Sequence, residues 1–180
     1  AISMAETGKK VLFIDADLRK SVLIGRYKIN KAIKGLTQYL SGVEQLDDVR
    51  YSTNVKNMDL ILSGPVPPNP AELLNNEKFT ELLETARKEY DYVIIDCPPS
   101  LGLLTINGLT AASSVMIPIQ CEFYALEGVT MLMNTIQLVQ RNLNPALKLE
   151  GVLMTMYDSR TNLSQDVVNE VQKYFKTKMY

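Results

Sequence analysis

The chain has 180 residues, of which 46% are hydrophobic and 22% charged, the composition of one globular α/β domain. Its net charge of −1 excludes a global basic field that would attract nucleic acid or anionic lipid, so such binding would need a local patch. No apolar run approaches the roughly 20 residues that span a bilayer. Both cysteines, Cys97 and Cys121, are predicted to be reduced core thiols of a cytoplasmic protein.

The first half of the chain alternates short helices with buried strands. Continuous apolar runs of four or five residues are typical of strands that a parallel sheet buries on both faces. In chain order we expect a helix at Ala1–Glu6 that Gly8 ends, a strand at Val11–Ile14 and a short helix at Lys34–Leu40. A second strand at Met58–Leu62 follows, and then a proline-rich loop at Pro65–Pro70. We expect two further helices, one from Ala71 and one that is capped by Asn76 and runs to Glu89.

The second half continues the alternation. We expect three strands, at Tyr92–Ile95, Val115–Ile119 and Gly151–Thr155, and two helices, at Ala125–Asn142 and Leu163–Lys176. Strands that alternate with helices form βαβ units, so the pattern predicts a doubly wound α/β fold with a mostly parallel sheet and helices on both faces. No linker-like stretch interrupts it, and we therefore expect residues 1–180 to form a single domain.

Aspartates stand where two of the predicted strands end. Asp15 and Asp17 follow the first strand, and Asp96 ends the third. Ligands of open parallel sheets lie beyond the carboxyl ends of the strands, and carboxylates that meet there repel each other unless a cation neutralises them. One such aspartate is equally typical of a cap or turn. Two strand ends in this order favour a Mg²⁺ and nucleotide site with Asp15, Asp17 and Asp96 as catalytic and metal-binding residues.

Several segments of the first half resemble one family. FIDADLRKS at Phe13–Ser21 resembles the Walker A′ segment of the bacterial tyrosine autokinases that regulate capsule and exopolysaccharide synthesis. YDYVIIDCPP at Tyr90–Pro99 resembles the Walker B segment that these kinases share with ParA-type partition ATPases. The proline loop and the segment Ser21–Ser41 also resemble the kinases, so the resemblance to this branch covers residues 1–98.

Residues 99–180 resemble another family of the same superfamily, the ParA-type ATPases of chromosome and plasmid partition. Three segments carry the resemblance: Ser100–Ala112, Ile117–Val129 and Glu150–Phe175. Both families are deviant-Walker P-loop ATPases, and the two resemblances meet near Asp96–Ser100. A natural recombinant, an engineered chimera and an assembly artefact would each account for the junction.

Both resemblances imply a glycine-rich phosphate loop, which would precede Ala1. They imply ATP and Mg²⁺ as cofactors and a homo-oligomer. In the kinase interpretation Asp15 and Asp17 organise Mg²⁺ and help to deprotonate a tyrosine hydroxyl, and Asp96 holds the metal shell through water. By resemblance, nucleotide contacts fall on Arg19, Pro98, Thr155 and Met156, and a DNA contact falls on Arg160; Ser100–Asn107 would be a loop that senses the γ-phosphate.

The main interpretation is a cytoplasmic ATP-dependent tyrosine autokinase, activated by a membrane-anchored polysaccharide co-polymerase, with recruitment to the inner face of the membrane left open. The first alternative is a ParA-type partition ATPase, whose partners are nonspecific DNA and a centromere-binding protein. The second alternative is a catalytically inactive chain, since a chain without the phosphate loop is expected to bind Mg-ATP poorly.

Overall fold

The computed structural model describes residues 1–27, 29, 33–122 and 125–180, with the backbone alone at 125 and 126. Parts of the segments Ser21–Ser41 and Ile117–Val129 therefore lie outside the described residues. The chain divides into two compact units, Ala1–Ala111 and Ala112–Tyr180. The expectation that residues 1–180 form a single domain stays a prediction.

The first unit is built on a four-stranded sheet. Its strands are β1 (Val11–Asp15), β2 (Arg50–Ser52), β3 (Met58–Ile61) and β4 (Tyr92–Asp96), in the order β2-β3-β1-β4. β1 pairs in parallel with both β3 and β4, while β2 pairs antiparallel with β3. β1 is therefore a central strand. Its nearly complete burial is what its continuous apolar run predicts.

Seven helices of the first unit are described: α1 (Ile2–Glu6), α2 (Leu23–Arg26), α3 (Leu36–Leu40), α4 (Leu46–Val49), α5 (Pro70–Leu73), α6 (Glu77–Glu89) and α7 (Leu103–Ala111). α6 begins as the sequence predicts, because the Asn76 side chain accepts a hydrogen bond from the N–H of Phe79 at 3.0 Å. Its buried face, with Phe79, Leu82 and Leu83, joins Leu12 and Ile14 in one hydrophobic core. The core therefore fixes the strand that ends in Asp15.

The second unit contains β5 (Ser114–Gln120), α8 (Ala125–Asn142), β6 (Lys148–Thr155), α9 (Asn162–Phe175) and the 3₁₀ turn at Lys176–Lys178. β5 and β6 form a parallel pair. α9 begins at a side-chain cap, since Thr161 Oγ1 accepts a hydrogen bond from Ser164 N. Buried Val167 and Val171 lie one turn apart on α9, which packs against β6 and α8.

The structure confirms the α/β class and the mostly parallel pairing that the sequence predicts. Gly8 ends the first helix with a φ of 89°. One expectation is wrong: Ser100–Asn107 is not a loop throughout, because α7 begins at Leu103. Helical periodicity does not indicate this helix, because leucines follow one another at its start and its apolar residues are spread around the whole helix. Within the described residues, no helix has the length and apolar character needed to cross a membrane.

Candidate functional site

Two aspartates end neighbouring strands of the first sheet. Asp15 is the last residue of β1 and Asp96 the last of β4, and the parallel register pairs them directly. The N–H of Ala16 donates to the Asp96 carbonyl oxygen at 2.9 Å, so the two strand ends are joined at this point. The structure thus brings Asp15 and Asp96 together at the carboxyl edge, where the sequence predicts the site.

The Asp15 carboxylate is buried and densely hydrogen-bonded. Asp15 is 1% exposed. Oδ1 accepts from Asp17 N at 3.2 Å, and Oδ2 accepts a short hydrogen bond from the Ser21 hydroxyl. Both donors belong to the turn that follows β1, and each oxygen of the carboxylate has one of them. Asp15 is therefore held in one orientation.

The Asp96 carboxylate differs from that of Asp15 in its hydrogen bonding and its exposure. Among the described residues, no hydrogen bond ends on its side-chain oxygens, and the residue is exposed to solvent. Burial of the group, followed by the negative charges of Asp15 and Asp17, raises the pKa of the Asp96 carboxyl. Burial likewise raises the pKa of Asp15, although hydrogen bonds from Ser21, Asp17 and Ser63 oppose the rise. Two close carboxylates that cost free energy to ionise form an environment that a cation would stabilise.

The donor set suits Mg²⁺ bound with a phosphate ligand. In the part of the chain that the structure describes, no three His, Cys, Asp or Glu side chains group closely enough to hold a metal ion by themselves. Mg²⁺ commonly binds through one or two carboxylates, several waters and substrate phosphates. Asp15 and Asp96 fit this pattern. The assignment of three aspartate ligands, including Asp17, stays a prediction.

Asp17 has a local role that the sequence left open. Its Oδ1 accepts from Arg19 N at 3.2 Å and from Lys20 N at 3.0 Å, so the side chain closes the turn after β1. The Arg19 guanidinium reaches towards Gly102, where Nη1 lies 3.9 Å from the position that a Cβ would take. Among the described residues, Arg19 forms no ion pair. A cation thus stands beside the loop that follows β4.

The loop after β4 is tied to α7. The Thr105 hydroxyl contacts the carbonyl oxygens of Pro98 at 3.1 Å and Ser100 at 2.6 Å. Pro98 is buried, and Ser100 is exposed. The first turn of α7 therefore holds the backbone that follows Asp96. These hydrogen bonds fix the direction in which the loop leaves the sheet.

The remaining predicted residues belong to the second unit. Thr155 ends β6, and its hydroxyl donates to the Ile119 carbonyl at 3.1 Å. Met156 follows with a φ of 56° and is 75% exposed. Arg160 is folded back on Asp158: Nε donates to Oδ1 at 2.9 Å and Nη2 to Oδ2 at 2.7 Å. This pairing lowers the pKa of the Asp158 carboxyl. The nucleotide and DNA roles of these residues stay predictions.

Sequence reasoning missed the hydroxyl donor of Asp15. Ser21 is the last residue of the motif FIDADLRKS, and the motif does not indicate this contact. The Ser21 side chain reaches Asp15 through an irregular turn, so no periodicity in the sequence places the two residues together.

The fold and the strand-end carboxylates define a nucleotide-binding P-loop type of α/β protein, and comparisons with known proteins agree. A family model described as an AAA domain matches residues 1–149. The sporulation initiation inhibitor protein Soj of Bacillus subtilis is 46% identical over 98% of this chain and 72% of its own length. The chromosome partitioning protein ParA of Myxococcus xanthus is 40% identical over the whole chain and 66% of its own length.

Solved structures show the same likeness. Cobyrinic acid a,c-diamide synthase from Mycobacterium smegmatis, with bound ATP analog and magnesium, has a TM-score of 0.80 and 34% identity, covering 97% of this chain and 74% of its own. The kinase domain of the Escherichia coli tyrosine kinase ETK has a TM-score of 0.78 and 28% identity, covering 89% and 61%. The chain belongs to the AAA-domain family and is a deviant-Walker P-loop ATPase of the ParA/MinD-like group.

The comparisons favour the partition alternative over the kinase interpretation. The Soj and ParA matches extend over nearly the whole chain, including the residues 1–98 that resemble kinases. The tyrosine kinase domains appear instead among the structural neighbours. The motif FIDADLRKS does not separate the two families, because acids at strand ends around a phosphate site suit both and do not specify the group that accepts the phosphoryl.

Proposed function

We propose that this chain belongs to a chromosome-partition ATPase that binds MgATP at the carboxyl edge of β1 and β4 and hydrolyses it. The observation that carries the proposal is the register pairing of Asp15 with Asp96 at the ends of adjacent parallel strands. The ParA and Soj names of the relatives, and the ATP analog and magnesium bound to a structural neighbour, support it. The predicted cytoplasmic location belongs to the same proposal.

The carboxylates of Asp15 and Asp96 would have different roles at this site. Mg²⁺ supplies charge neutralisation for the nucleotide phosphates when it is bound. Asp96 has side-chain oxygens that are free of hydrogen bonds from the described residues, and it would hold the hydrated cation. Asp15, whose two oxygens each accept one hydrogen bond from the turn after β1, would add a fixed negative charge beside it. Arg19 would contact a phosphate oxygen from the turn after β1.

The test replaces one carboxylate at a time in the full-length protein. Asp15→Asn and Asp96→Asn keep the shape of the side chain but remove its charge, and each is expected to lower ATP turnover on the order of a hundredfold. Asp166→Asn, at an exposed position on α9, is the matched control and is expected to leave turnover unchanged. Near-normal turnover of Asp15→Asn and Asp96→Asn at saturating Mg²⁺ would make these aspartates structural caps and would refute the proposal.

The partition proposal includes a homo-oligomer, nonspecific DNA and a centromere-binding protein as partners. Arg160 is the predicted DNA contact, but in this structure its guanidinium is paired with Asp158. We therefore expect residues 1–180 alone to bind double-stranded DNA weakly, because phosphate contacts require free cations. A mobility shift at low and moderate salt, with Arg160→Ala as the comparison, tests this. Tight, salt-sensitive binding that Arg160→Ala abolishes would show that the pair opens on DNA.

A second candidate, tyrosine autophosphorylation, rests on the 28% identity and TM-score of 0.78 with a tyrosine kinase domain. In this candidate, a membrane-anchored polysaccharide co-polymerase would be the activator. The two functions differ in the fate of the γ-phosphate. Incubation of the full-length protein with radiolabelled ATP separates them: label retained on tyrosine supports the kinase, while label released as inorganic phosphate supports the partition ATPase.

A further inference from the structure

We propose that Asp158 competes with DNA phosphate for the guanidinium of Arg160, so that the turn between β6 and α9 limits the affinity for DNA. The inference rests on the proposed function, in which Arg160 contacts DNA. It assigns a regulatory role to Asp158, a residue outside the predicted site. The hydrogen bonds of the turn between Thr155 and Asn162 carry the argument.

The Arg160 guanidinium and the Asp158 carboxylate meet side by side. Nε donates to Oδ1 at 2.9 Å and to Oδ2 at 3.2 Å, and Nη2 donates to Oδ2 at 2.7 Å. A guanidinium binds two oxygens of a phosphate in the same forked geometry. Asp158 therefore occupies an edge of Arg160 that is suited to a phosphate group.

The backbone of the turn holds Asp158 in place. Its Oδ1 accepts from Arg160 N at 3.0 Å, and its carbonyl oxygen accepts from Thr161 N and the Thr161 hydroxyl, both at 3.2 Å. Thr161 also caps α9, because its hydroxyl oxygen accepts from Ser164 N at 3.3 Å. None of these bonds involves the guanidinium. The carboxylate therefore stays beside Arg160 even when the guanidinium moves away.

The Arg160 side chain, in contrast, is held by Asp158 alone in the part of the chain that the structure describes. It is 87% exposed, against 37% for the side chain of Asp158. Exposed ion pairs of this kind are weak and are screened by salt. A DNA phosphate can therefore take the guanidinium, but it has to displace the carboxylate first.

Neutralisation of Arg160 is the physical reason for the lower affinity. Nonspecific DNA affinity comes from cations that neutralise phosphates and release counterions, and each such contact adds about 0.9 to the slope of log affinity against log salt concentration. The pair of Arg160 and Asp158 has no net charge, and a phosphate that approaches it also meets a carboxylate. Removal of the carboxylate is expected to raise the affinity by about threefold, as suits an exposed ion pair.

The experiment measures dissociation constants of the full-length protein for a fluorescent DNA duplex of arbitrary sequence, with MgATP, at low and moderate salt. Asp158→Asn is the test variant, because its amide oxygen can still accept from Arg160 N while the charge is lost. Asp166→Asn is the matched control, since it removes the same charge from an exposed position on α9. A double variant, Asp158→Asn with Arg160→Ala, shows whether the effect depends on the guanidinium.

Asp158→Asn is expected to bind the duplex about threefold more tightly than wild type and with a steeper salt dependence. Asp166→Asn is expected to bind as wild type does. The gain should vanish in the double variant, because no guanidinium is then released. This combination of results supports the competition between Asp158 and phosphate.

Three results would overturn it. A gain that persists in the double variant would mean that Asp158 acts on DNA through its own charge. Unchanged affinity of Asp158→Asn would mean that the pair has no effect, and lower affinity would mean that Asp158 orients the guanidinium for phosphate.

The fold of each variant is checked by cooperative urea unfolding. If Asp158→Asn fails this check, Asp158→Ser decides in its place, because its hydroxyl can also accept from Arg160 N. If neither wild type nor any variant binds the duplex, the DNA partner of the proposed function is wrong and the inference falls with it. Failure of the inference alone leaves the binding of wild type to DNA intact.

Discussion

The carboxyl ends of β1 and β6 were both predicted to contact nucleotide, yet they are built differently. At the end of β1, Asp15 is buried and its carboxylate accepts hydrogen bonds from Asp17 N and the Ser21 hydroxyl, in the turn that follows the strand. At the end of β6, Thr155 makes one hydroxyl contact, to the strand beside it, and Met156 extends into solvent. The first end is supported from outside its own strand, and the second is supported by its sheet partner.

This difference shows what distinguishes a strand end that could bind nucleotide from one that only ends a strand. A parallel sheet places every carboxyl end at an edge that can receive a ligand, so position alone gives both ends the same expectation. A catalytic group must also be held in a defined orientation by its neighbours. By that criterion the structure favours the end of β1 over the end of β6.

The largest effect is expected where Gly35, just before α3, meets the backbone after β3. Gly35→Ala would place a methyl group against the backbone of Gly64 and the Leu62 carbonyl, and these atoms cannot move without displacing α3. We expect a loss of about 1–3 kcal/mol in the free energy of unfolding, measured by urea titration. Gly25→Ala is the control, because no atom of the described residues lies within 4 Å of its added Cβ. Equal stability of the two variants would contradict the tight contact.

An intermediate effect is expected at the end of β6. Thr155→Val removes the hydroxyl that donates to the Ile119 carbonyl and should cost about 1 kcal/mol of unfolding free energy. If β6 contributes only structure here, the ADP dissociation constant of this variant stays within about twofold of wild type, a difference of roughly 0.4 kcal/mol. A loss of tenfold or more would place Thr155 in the nucleotide site and break the comparison between the two strand ends.

The smallest effect concerns the charge on Asp96. Its pKa is raised above the ordinary value of 3.8, so the folded protein binds this proton more tightly than the unfolded chain. The resulting penalty is absent below the unfolded pKa and is fully present above the folded pKa, so stability falls as pH rises between them. Asp96→Asn is therefore expected to unfold at a higher urea concentration than wild type at neutral pH.

The gain from Asp96→Asn should disappear at about pH 3, where both states of the wild-type carboxyl are largely protonated. Asp166→Asn, on the exposed surface of α9, provides the comparison and should show no such gain. A variant Asp96→Asn that is less stable than wild type at neutral pH would mean that the carboxylate makes a favourable interaction that outweighs its burial.

The sequence predicted the strands well, because a run such as Val11–Ile14 is apolar at every position and a buried parallel strand requires that. It also predicted that Asp15 and Asp96 lie at the same edge of the sheet, since parallel strands share one carboxyl edge. It did not predict that β1 and β4 are neighbours, nor β2, which is three residues long and antiparallel. The hydrogen bond from the Thr37 hydroxyl to the Ser63 carbonyl was also out of reach, because it joins segments 26 residues apart.

Family resemblance had a similar limit. The motifs around Asp15 and Asp96 correctly indicated a deviant-Walker ATPase, since both families use acids at these strand ends. They did not separate a kinase from a partition ATPase. The residues that bind the phosphate can be the same whether the phosphoryl group is transferred to a tyrosine or to water. The relatives that match nearly the whole chain provided that distinction.

The shielding of the two cysteines has a practical consequence for observing the site. Burial raises the pKa of Cys97 to about 11 and also raises that of Cys121, which is 5% exposed. Because the thiolate is the reactive form, a raised pKa makes both thiols poor nucleophiles at pH 7. A cysteine introduced at Gly25, in α2 and with no described neighbour within 4 Å, would therefore take a maleimide dye in preference to Cys97 and Cys121. Residues 1–180 thus accept a fluorescent reporter close to Ser21 without removal of their own thiols.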